Sequence, residues 1–300
     1  AAARADEPCV IAVSQSGMIG REPVEGPRKA TFGRHDVLVQ RVATTTHAQL
    51  WALTSRGRVL PTSAEAAAEV TGRTRGTPVG DLFALDKGEV VRTLVTLPPE
   101  GAEEPPPMML VTAQGVMKRL TLAEIAGTGA GRPAIKLKPG DTVVAAFPAP
   151  DGHEVVAVAS NAQAMRCDAA NVPVQGRAAA GVTGMKLADG SVVVGAGPAD
   201  DDTVVLTVTD AQTAKVTDAS EIPTRGRATA GVRITKFRSE KRLDWAFVGP
   251  EQGVLLVVGT EDAPSKPDPS PEPLTIPHTA RDLVSKKTRR RLHAVGFGRW

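Results

Sequence analysis

Apolar positions in this chain fall into short runs that recur. "VIAVSQSG" at Val10, "LWALTSRG" at Leu50, "MMLVTAQG" at Met108, "VVAVASNA" at Val155, "VVLTVTDA" at Val204 and "VLLVVGTE" at Val254 each join aliphatic or β-branched residues to Gly, Asn or Asp turn chemistry. Such residues suit a pleated, half-buried surface, and runs of this length ending in turns read as strands. The copies are spaced 40 to 58 residues apart. A second short strand is expected after most turns, most clearly in "VMKRLTLAEI", "AMRCDAANV" and "TAKVTDASEI". Another apolar strand closes each unit, as in "DTVVAAF", "SVVVGA" and "LDWAFVG".

A polar segment lies before the closing strand, and it too is repeated. "QGRAAAGVTGMKL" (175–187) and "RGRATAGVRITKF" (225–237) share six of their first eight letters, and Lys186 falls on Lys236. "GAGRPAIKL" from Gly129 is a third copy, and "GRTRGTPVGDLFAL" from Gly72 and "GPRKATFGRHDVL" from Gly26 are weaker relatives. Units of this length with about four strands are the mark of propeller blades. One small sheet cannot bury both faces, whereas neighbours stacked round a ring can, and a closed ring leaves no long exposed edge. The pattern predicts an all-β, six-bladed, propeller-like ring. The competing architecture, two β-sandwich domains with accidental similarity, does not account for matches that span loop and strand together.

The boundaries read from this pattern are a linker or disordered start over 1–8, the ring over 9–262, a Pro-rich loop over 263–277 and a basic segment over 278–300. The Pro-rich loop cannot be a central strand. The basic segment has two readings, a final strand that locks the ring or a loosely ordered end. Helix is scarce; "SAEAAAEV" (Ser63–Val70), with a Ser N-cap, predicts one or two turns. "PPEGAEEPPP" (Pro98–Pro107) reads as an exposed acidic loop.

Composition removes several function classes. Nothing in the sequence approaches an 18-residue apolar run, so no membrane-spanning helix is expected. The start, "AAARADEPCV", has neither an initiator Met nor a charged-then-apolar leader and reads as a piece of a longer chain. Cys9 and Cys167 form no CxxC pair, which suits a reducing cytoplasm and no cysteine metal site. Tyrosine is absent and aromatic residues are 3%, which argues against single-strand recognition by base stacking. His35, His47, His153, His278 and His293 are scattered without metal-ligand spacing. "GTGAGR" at Gly127 lacks the Lys-Ser/Thr ending of a phosphate-binding loop and reads as a blade loop. No GxSxG elbow is present. The sequence thus predicts no catalytic group, no metal and no cofactor.

Charge is small in sum and uneven in place. Net charge is +3 with a pI of about 9.0. Seven basic residues, Arg225, Arg227, Arg233, Lys236, Arg238, Lys241 and Arg242, face only Glu240 in their stretch. The preceding Gly-Arg segments carry Arg177 and Lys186, and Arg132, Lys136 and Lys138, while acids gather in "EGAEE", "PADDD" and the Pro-rich loop. On a ring, equivalent loops occupy equivalent places, and a repeated basic loop becomes a basic belt. Such a belt suits duplex DNA, which presents a phosphate charge every ~1.7 Å. Arginine forks match phosphate oxygens, and a glycine beside each arginine lets a backbone N–H approach as well. No base-reading set is present, so binding through the backbone is expected, with sequence preference only through bendability. One such Gly-Arg would be a turn with a solvated arginine; three copies in register with a basic cluster favour the functional reading. The alternative is a propeller that binds a protein or a carbohydrate, although such sites usually draw on aromatic side chains.

The recurrence of an apolar strand, "GR", "AGV" and Lys followed by Leu or Phe resembles the C-terminal domain of the A subunit of bacterial type IIA topoisomerases, DNA gyrase and topoisomerase IV. "GRAAAGVTGMKL" and "GRATAGVRITKF" look like that family's blade loops and "GVMKRLTLAEI" like its second strand, and the likeness runs from about Cys9 to Gly259. The resemblance implies a six-bladed β-pinwheel in which neighbouring blades exchange strands. It implies a positive perimeter that binds and bends duplex DNA and presents it to a cleavage core. Arg132, Lys136, Arg177, Lys186, Arg225, Arg227, Arg233 and Lys236 would lie on or near that rim, with Lys138, Arg238, Lys241 and Arg242 as further candidates. The implied partners are an ATPase B subunit together with the rest of the A subunit, in the cytoplasm with the nucleoid and not at a membrane. Two departures bear on this. "GPRKATFGR" does not match the Gln-Arg-Arg-Gly-Gly-Lys-Gly box of gyrases, which favours topoisomerase IV. The family's cleavage nucleophile is a tyrosine, and this sequence has none, so catalysis is expected elsewhere in the assembly.

Overall fold

Three strands from each unit, and one lent by the next, make the blades of a ring. The structure, a computed structural model, describes residues 3–24, 35–70, 76–259 and 270–298. Unit one supplies β1 (Pro8–Ser14), β2 (Met18–Pro23) and β3 (Leu38–Thr45). Unit two supplies β4 (Gln49–Thr54), β5 (Val59–Ser63), β6 (Thr77–Pro78), a short helix α1 (Val79–Leu82) and β7 (Val91–Thr96). Unit three has β8 (Met108–Thr112), β9 (Val116–Leu120), α2 (Leu122–Ala126) and β10 (Val143–Pro148). Unit four has β11 (Glu154–Ala159), β12 (Gln163–Asp168), β13 (Val182–Thr183) and β14 (Val193–Ala199). Unit five has β15 (Thr203–Thr209), β16 (Thr213–Asp218), β17 (Val232–Arg233) and β18 (Leu243–Pro250). Unit six has β19 (Leu255–Val258), β20 (Glu272–Pro273), β21 (Lys286–Lys287) and β22 (Leu292–Gly296).

The six recurring apolar runs become β1, β4, β8, β11, β15 and β19, each flanked by its unit's closing strand and second strand. In four sheets a fourth strand comes from the following unit: β6 on β2, β13 on β9, β17 on β12 and β21 on β16. At the second sheet an antiparallel bridge between Arg58 and Pro133 stands in the same relation. The hydrophobic clusters sit between blades rather than inside them. Met109, Val111 and Met117 of unit three join Val155, Ala157 and Val172 of unit four. Leu110 and Leu120 of unit three face Trp51 and Val59 of unit two. Blade strands are therefore covered on both faces, which is why β8 and β15 are buried at every residue and read as unbroken apolar runs.

The ring is joined at its last seam by residues 292–298. β22 pairs with β19, the Phe247 and Phe297 rings lie 5.7 Å apart, and Leu38 N–H donates to the Gly298 carbonyl (3.0 Å) while Phe297 N–H donates to that of Leu38 (2.7 Å). The sixth blade thus takes β19 from before the Pro-rich loop, the edge strand β20 from within it and β22 from the basic segment after it, which corresponds to the reading of that segment as a final strand. At the other end, β1 starts at Pro8; Glu7 exchanges main-chain and side-chain hydrogen bonds with Thr46, and Asp6 accepts from His47 N–H at 2.9 Å.

Two local expectations are corrected. The second strands end earlier than the sequence suggests, in α2 or in 3-10 turns at Ala169–Asn171 and Ala219–Glu221. Thr121 Oγ1 accepts from Glu124 N–H and Asp168 Oδ1 from Ala170 N–H, so these polar residues cap helical turns instead of continuing the ladder. Over Ser63–Val70, only Ala64–Ala66 form a 3-10 turn, and Ser63 makes no side-chain cap. Ala64 and Ala67 are both fully buried, which pins the chain and returns it to extended geometry at Ala67. The "GPRKATFGR" stretch through Arg34, Gly72–Arg75 of the second Gly-Arg segment, and 260–269 of the Pro-rich segment lie outside the described residues.

Candidate nucleic-acid interface

The repeated "AGV" has a packing cause. Gly181 and Gly231 adopt φ of +85° and +80°, where side chains are strained. A Cβ on Gly231 would stand 2.1 Å from the Ala164 carbonyl oxygen, and one on Gly181 2.8 Å from that of Met117. These glycines let the lent strand press against the preceding blade. The "GR" half of the motif has no such cause. A Cβ on Gly226 would meet nothing within 4 Å, and one on Gly176 only the Glu124 carboxylate at 3.8 Å.

Pressed down in this way, the loops join end to end. Lys136 N–H donates to the Ala179 carbonyl (3.3 Å), Lys186 N–H to that of Thr229 (2.9 Å) and Lys236 N–H to that of Leu283 (3.1 Å). Each lysine of one loop is thus tied to the corresponding residue of the next. Residues 279–287 form a further loop of the series: Lys286 pairs with Ala214 as Val232 pairs with Ala164 and Val182 with Met117. The sequence does not reveal this loop: Arg281 keeps the place of Arg227, but Ser285 stands where Gly231 stands and the Gly-Arg and "AGV" letters are lost.

All twelve sequence-predicted cations, Arg132, Lys136, Lys138, Arg177, Lys186, Arg225, Arg227, Arg233, Lys236, Arg238, Lys241 and Arg242, are exposed. Eight of them lie in the linked loops; Lys138, Arg238, Lys241 and Arg242 lie in the turns that lead to β10 and β18. Their side chains are not equally free. Arg227 donates from Nε to the Asn171 carbonyl (3.1 Å) and from Nη1 to that of Thr183 (3.1 Å), which ties it to the neighbouring loop. Arg233 faces Asp282 at 3.5 Å, Arg242 faces Asp244 at 3.2 Å, and Arg177 lies 3.9 Å from Glu124. Leu187 and Phe237, beside the loop lysines, are half-buried against the inter-blade clusters.

Four cations that hold this surface up read in the sequence only as strand residues. Lys118 on β9 is fully buried, and its Nζ donates to the carbonyls of Ala134 (2.6 Å), Ala179 (2.8 Å) and Arg177 (3.2 Å). Lys215 on β16 occupies the same place and donates to Ala280 (2.7 Å), Leu283 (2.9 Å) and Arg281 (3.0 Å). Burial draws both amines down to about 8, opposed by the carboxylate of Glu124 at Lys118 and by those of Glu221 and Asp282 at Lys215. Arg119 Nε donates to the Val172 carbonyl (2.7 Å) and Nη1 to that of Ala149 (3.0 Å); Arg166 Nη1 donates to that of Ala219 (3.0 Å). The only signal in the sequence is a cation inside an otherwise apolar strand, as in "VMKRL" and "TAKV". Among the described residues no group of three or more His, Cys, Asp or Glu side chains could hold a metal ion, and no helix is long and apolar enough to cross a membrane.

Known proteins share this architecture. The family described as DNA gyrase C-terminal domain, beta-propeller, matches residues 107–150, 153–200 and 203–248, which are units three to five. The DNA gyrase A protein of Treponema pallidum (strain Nichols) is 28% identical over 182 residues, covering 57% of this chain and 22% of that protein. The DNA gyrase A protein of Escherichia coli (strain K12) is 29% identical over 187 residues, covering 59% of this chain and 21% of that protein. The chain thus aligns to about a fifth of the length of these curated relatives. Among solved structures, the C-terminal domain of DNA topoisomerase IV superposes with a TM-score of 0.82 at 19% identity, over 98% of this chain and 94% of that one. The DNA gyrase A C-terminal domain superposes at 0.65 and 18%, over 97% and 99%.

Proposed function

We propose that the chain is a C-terminal β-propeller domain of a type IIA topoisomerase A subunit, a reading supported by the family match over units three to five and by the gyrase A relatives, and that its linked Gly-Arg loops bind duplex DNA. The observation that carries this reading is the series of main-chain bonds from Lys136, Lys186 and Lys236 to the next loop. They set exposed cations along one continuous edge, where weak phosphate contacts add. Contact is with the sugar-phosphate backbone, because the loops offer arginine forks and open backbone rather than a base-reading element. A duplex that follows a curved edge is bent, and the bent segment is what the domain presents to the cleavage core of its parent protein. Cleavage, ATP use and magnesium belong to the rest of that protein and to an ATPase B subunit, in the cytoplasm. The sequence contains no Gln-Arg-Arg-Gly-Gly-Lys-Gly stretch, which supports a parent of the topoisomerase IV kind.

Gel shifts with unrelated duplexes test the proposal. For about six phosphate contacts, affinity should fall about a thousandfold or more between ~50 and ~200 mM salt, whatever the base sequence. No shift, or a shift confined to one sequence, sinks it. Re-ligating nicked circles with the domain bound separates bending from wrapping: unchanged linking number is expected for bending.

A further inference from the structure

Arg132, Lys136 and Arg177 border a recess of about 560 Å³ between the loops of units three and four. Gly127, Gly129 and Ala178 also line it. A Cβ on Gly127 would lie 3.2 Å from an Arg177 Nη, and one on Gly129 would lie 3.1 Å from Arg132 Cδ. Both arginines therefore rest where larger residues would displace them. Arg177 is also held from behind: its N–H donates to Glu124 Oε2 (3.2 Å) and its carbonyl accepts from the buried Lys118 (3.2 Å).

The seam between units five and six shows what such a cation set takes. There Asp282 carries a carboxylate 3.5 Å from Arg233 and 3.6 Å from Arg281. Asp282 lies four residues before Lys286, and Ala178 lies four before Val182, the residue that pairs in the same way with its preceding blade. The seam between units three and four thus has three cations with an alanine in place of that aspartate, while Glu124 reaches Arg177 from behind at 3.9 Å. Its volume is that of a small-molecule site rather than of a single-ion dimple.

We propose that this recess is a seat for short chains of linked phosphates, which bind there as free oligophosphates and compete with DNA for Arg132, Lys136 and Arg177. The inference deepens the DNA-binding reading and rests on it for the competition alone. Guanidinium forks and an ammonium match consecutive phosphate groups, whether these belong to one strand of a duplex or to a free chain.

The test is calorimetric titration of the chain with inorganic tripolyphosphate, with sulfate at equal ionic strength as control. Wild type should bind tripolyphosphate. Ala178→Asp, which supplies the carboxylate found at Asp282, should weaken that binding at least about tenfold, as should Arg132→Ala, each removing a charge-assisted contact. Lys87→Ala, an exposed cation of unit two outside the recess and outside the linked loops, should leave it unchanged. Tripolyphosphate should displace labelled duplex from wild type and not from Ala178→Asp. Equal binding of sulfate, or wild-type tripolyphosphate affinity in both recess variants, overturns the seat. Duplex binding without tripolyphosphate binding removes the seat and spares the DNA reading; the converse removes the DNA reading and spares the seat.

Discussion

Between units three and four the rim sets Arg132, Lys136 and Arg177 around an open recess; between units five and six it sets Arg233 and Arg281 against Asp282, with Lys236 in the same loop as Arg233. The backbone beneath the two seams is the same. Lys118 gathers the carbonyls of Arg177 and Ala179, and Lys215 those of Arg281 and Leu283. The frame is specified by buried positions and the charge by exposed ones, and the two vary independently. The middle seam makes the same point differently. Met165 replaces the buried lysine there, and Arg227 spends its guanidinium on neighbouring carbonyls.

The strongest challenge to this comparison is removal of the shared frame. Lys118→Ala and Lys215→Ala should each destabilise the domain by about 3 kcal/mol or more, because three buried carbonyls lose their donor. Urea unfolding measures the loss. Hydrogen exchange should locate it, with Lys118→Ala exposing the Lys136 amide and Lys215→Ala the Lys236 amide. A near-neutral Lys118→Met would mean that the seam holds itself.

Charge comes next. Replacing Arg132, Lys136 and Arg177 together by Ala should flatten the salt dependence of duplex binding by about 0.9 per lost phosphate contact. The same triple change at Arg233, Lys236 and Arg281 should flatten it less, since Asp282, which faces both arginines, already offsets one of those charges. Equal effects would show that the internal carboxylate is displaced when DNA arrives. Asp282→Asn should tighten duplex binding about two- to fivefold at low salt, the range of an exposed ion pair.

A smaller effect concerns His278, at the head of the loop that carries Arg281. Its Nδ1 lies 2.6 Å from Asp218 and its Nε2 2.8 Å from Glu251. The Glu251 bond first, then the Asp218 bond, raises its pKa above the ordinary histidine value. The stabilisation is therefore fully present below about pH 6.5, the unfolded value, and is lost as pH rises through the folded one. Unfolding midpoints of wild type and His278→Gln should differ more at pH 6 than at pH 9, and a constant difference would assign His278 to packing alone.

The first strand of every unit was legible because burial on both faces leaves an unbroken apolar run, as in β15. The loops were legible because Gly181 and Gly231 each need a residue without a side chain, and the "AGV" text repeats for that reason. What stayed hidden was non-local. A two-residue strand such as β17 gains its meaning from β12, nearly seventy residues earlier, and periodicity carries no trace of that. Residues 279–287 keep the shape of the loop while changing its letters, with buried Ser285 bonding to Thr235 where a glycine stands in other copies. The exposed cations were found from charge alone, but their partners were not: Asp282, Asn171 and Glu124 come from other stretches of chain.

Residues 286–298 give β21 to the fifth blade, give β22 to the sixth and bind Leu38 of the first. A chain made from its N-terminus therefore cannot finish its ring while these residues are still inside the ribosome. Until they emerge, one end of the arc keeps bare strand edges and the other lacks its neighbour. The domain completes itself in one late step, and a translational pause or a truncation before residue 286 should leave an open, association-prone arc rather than a smaller propeller.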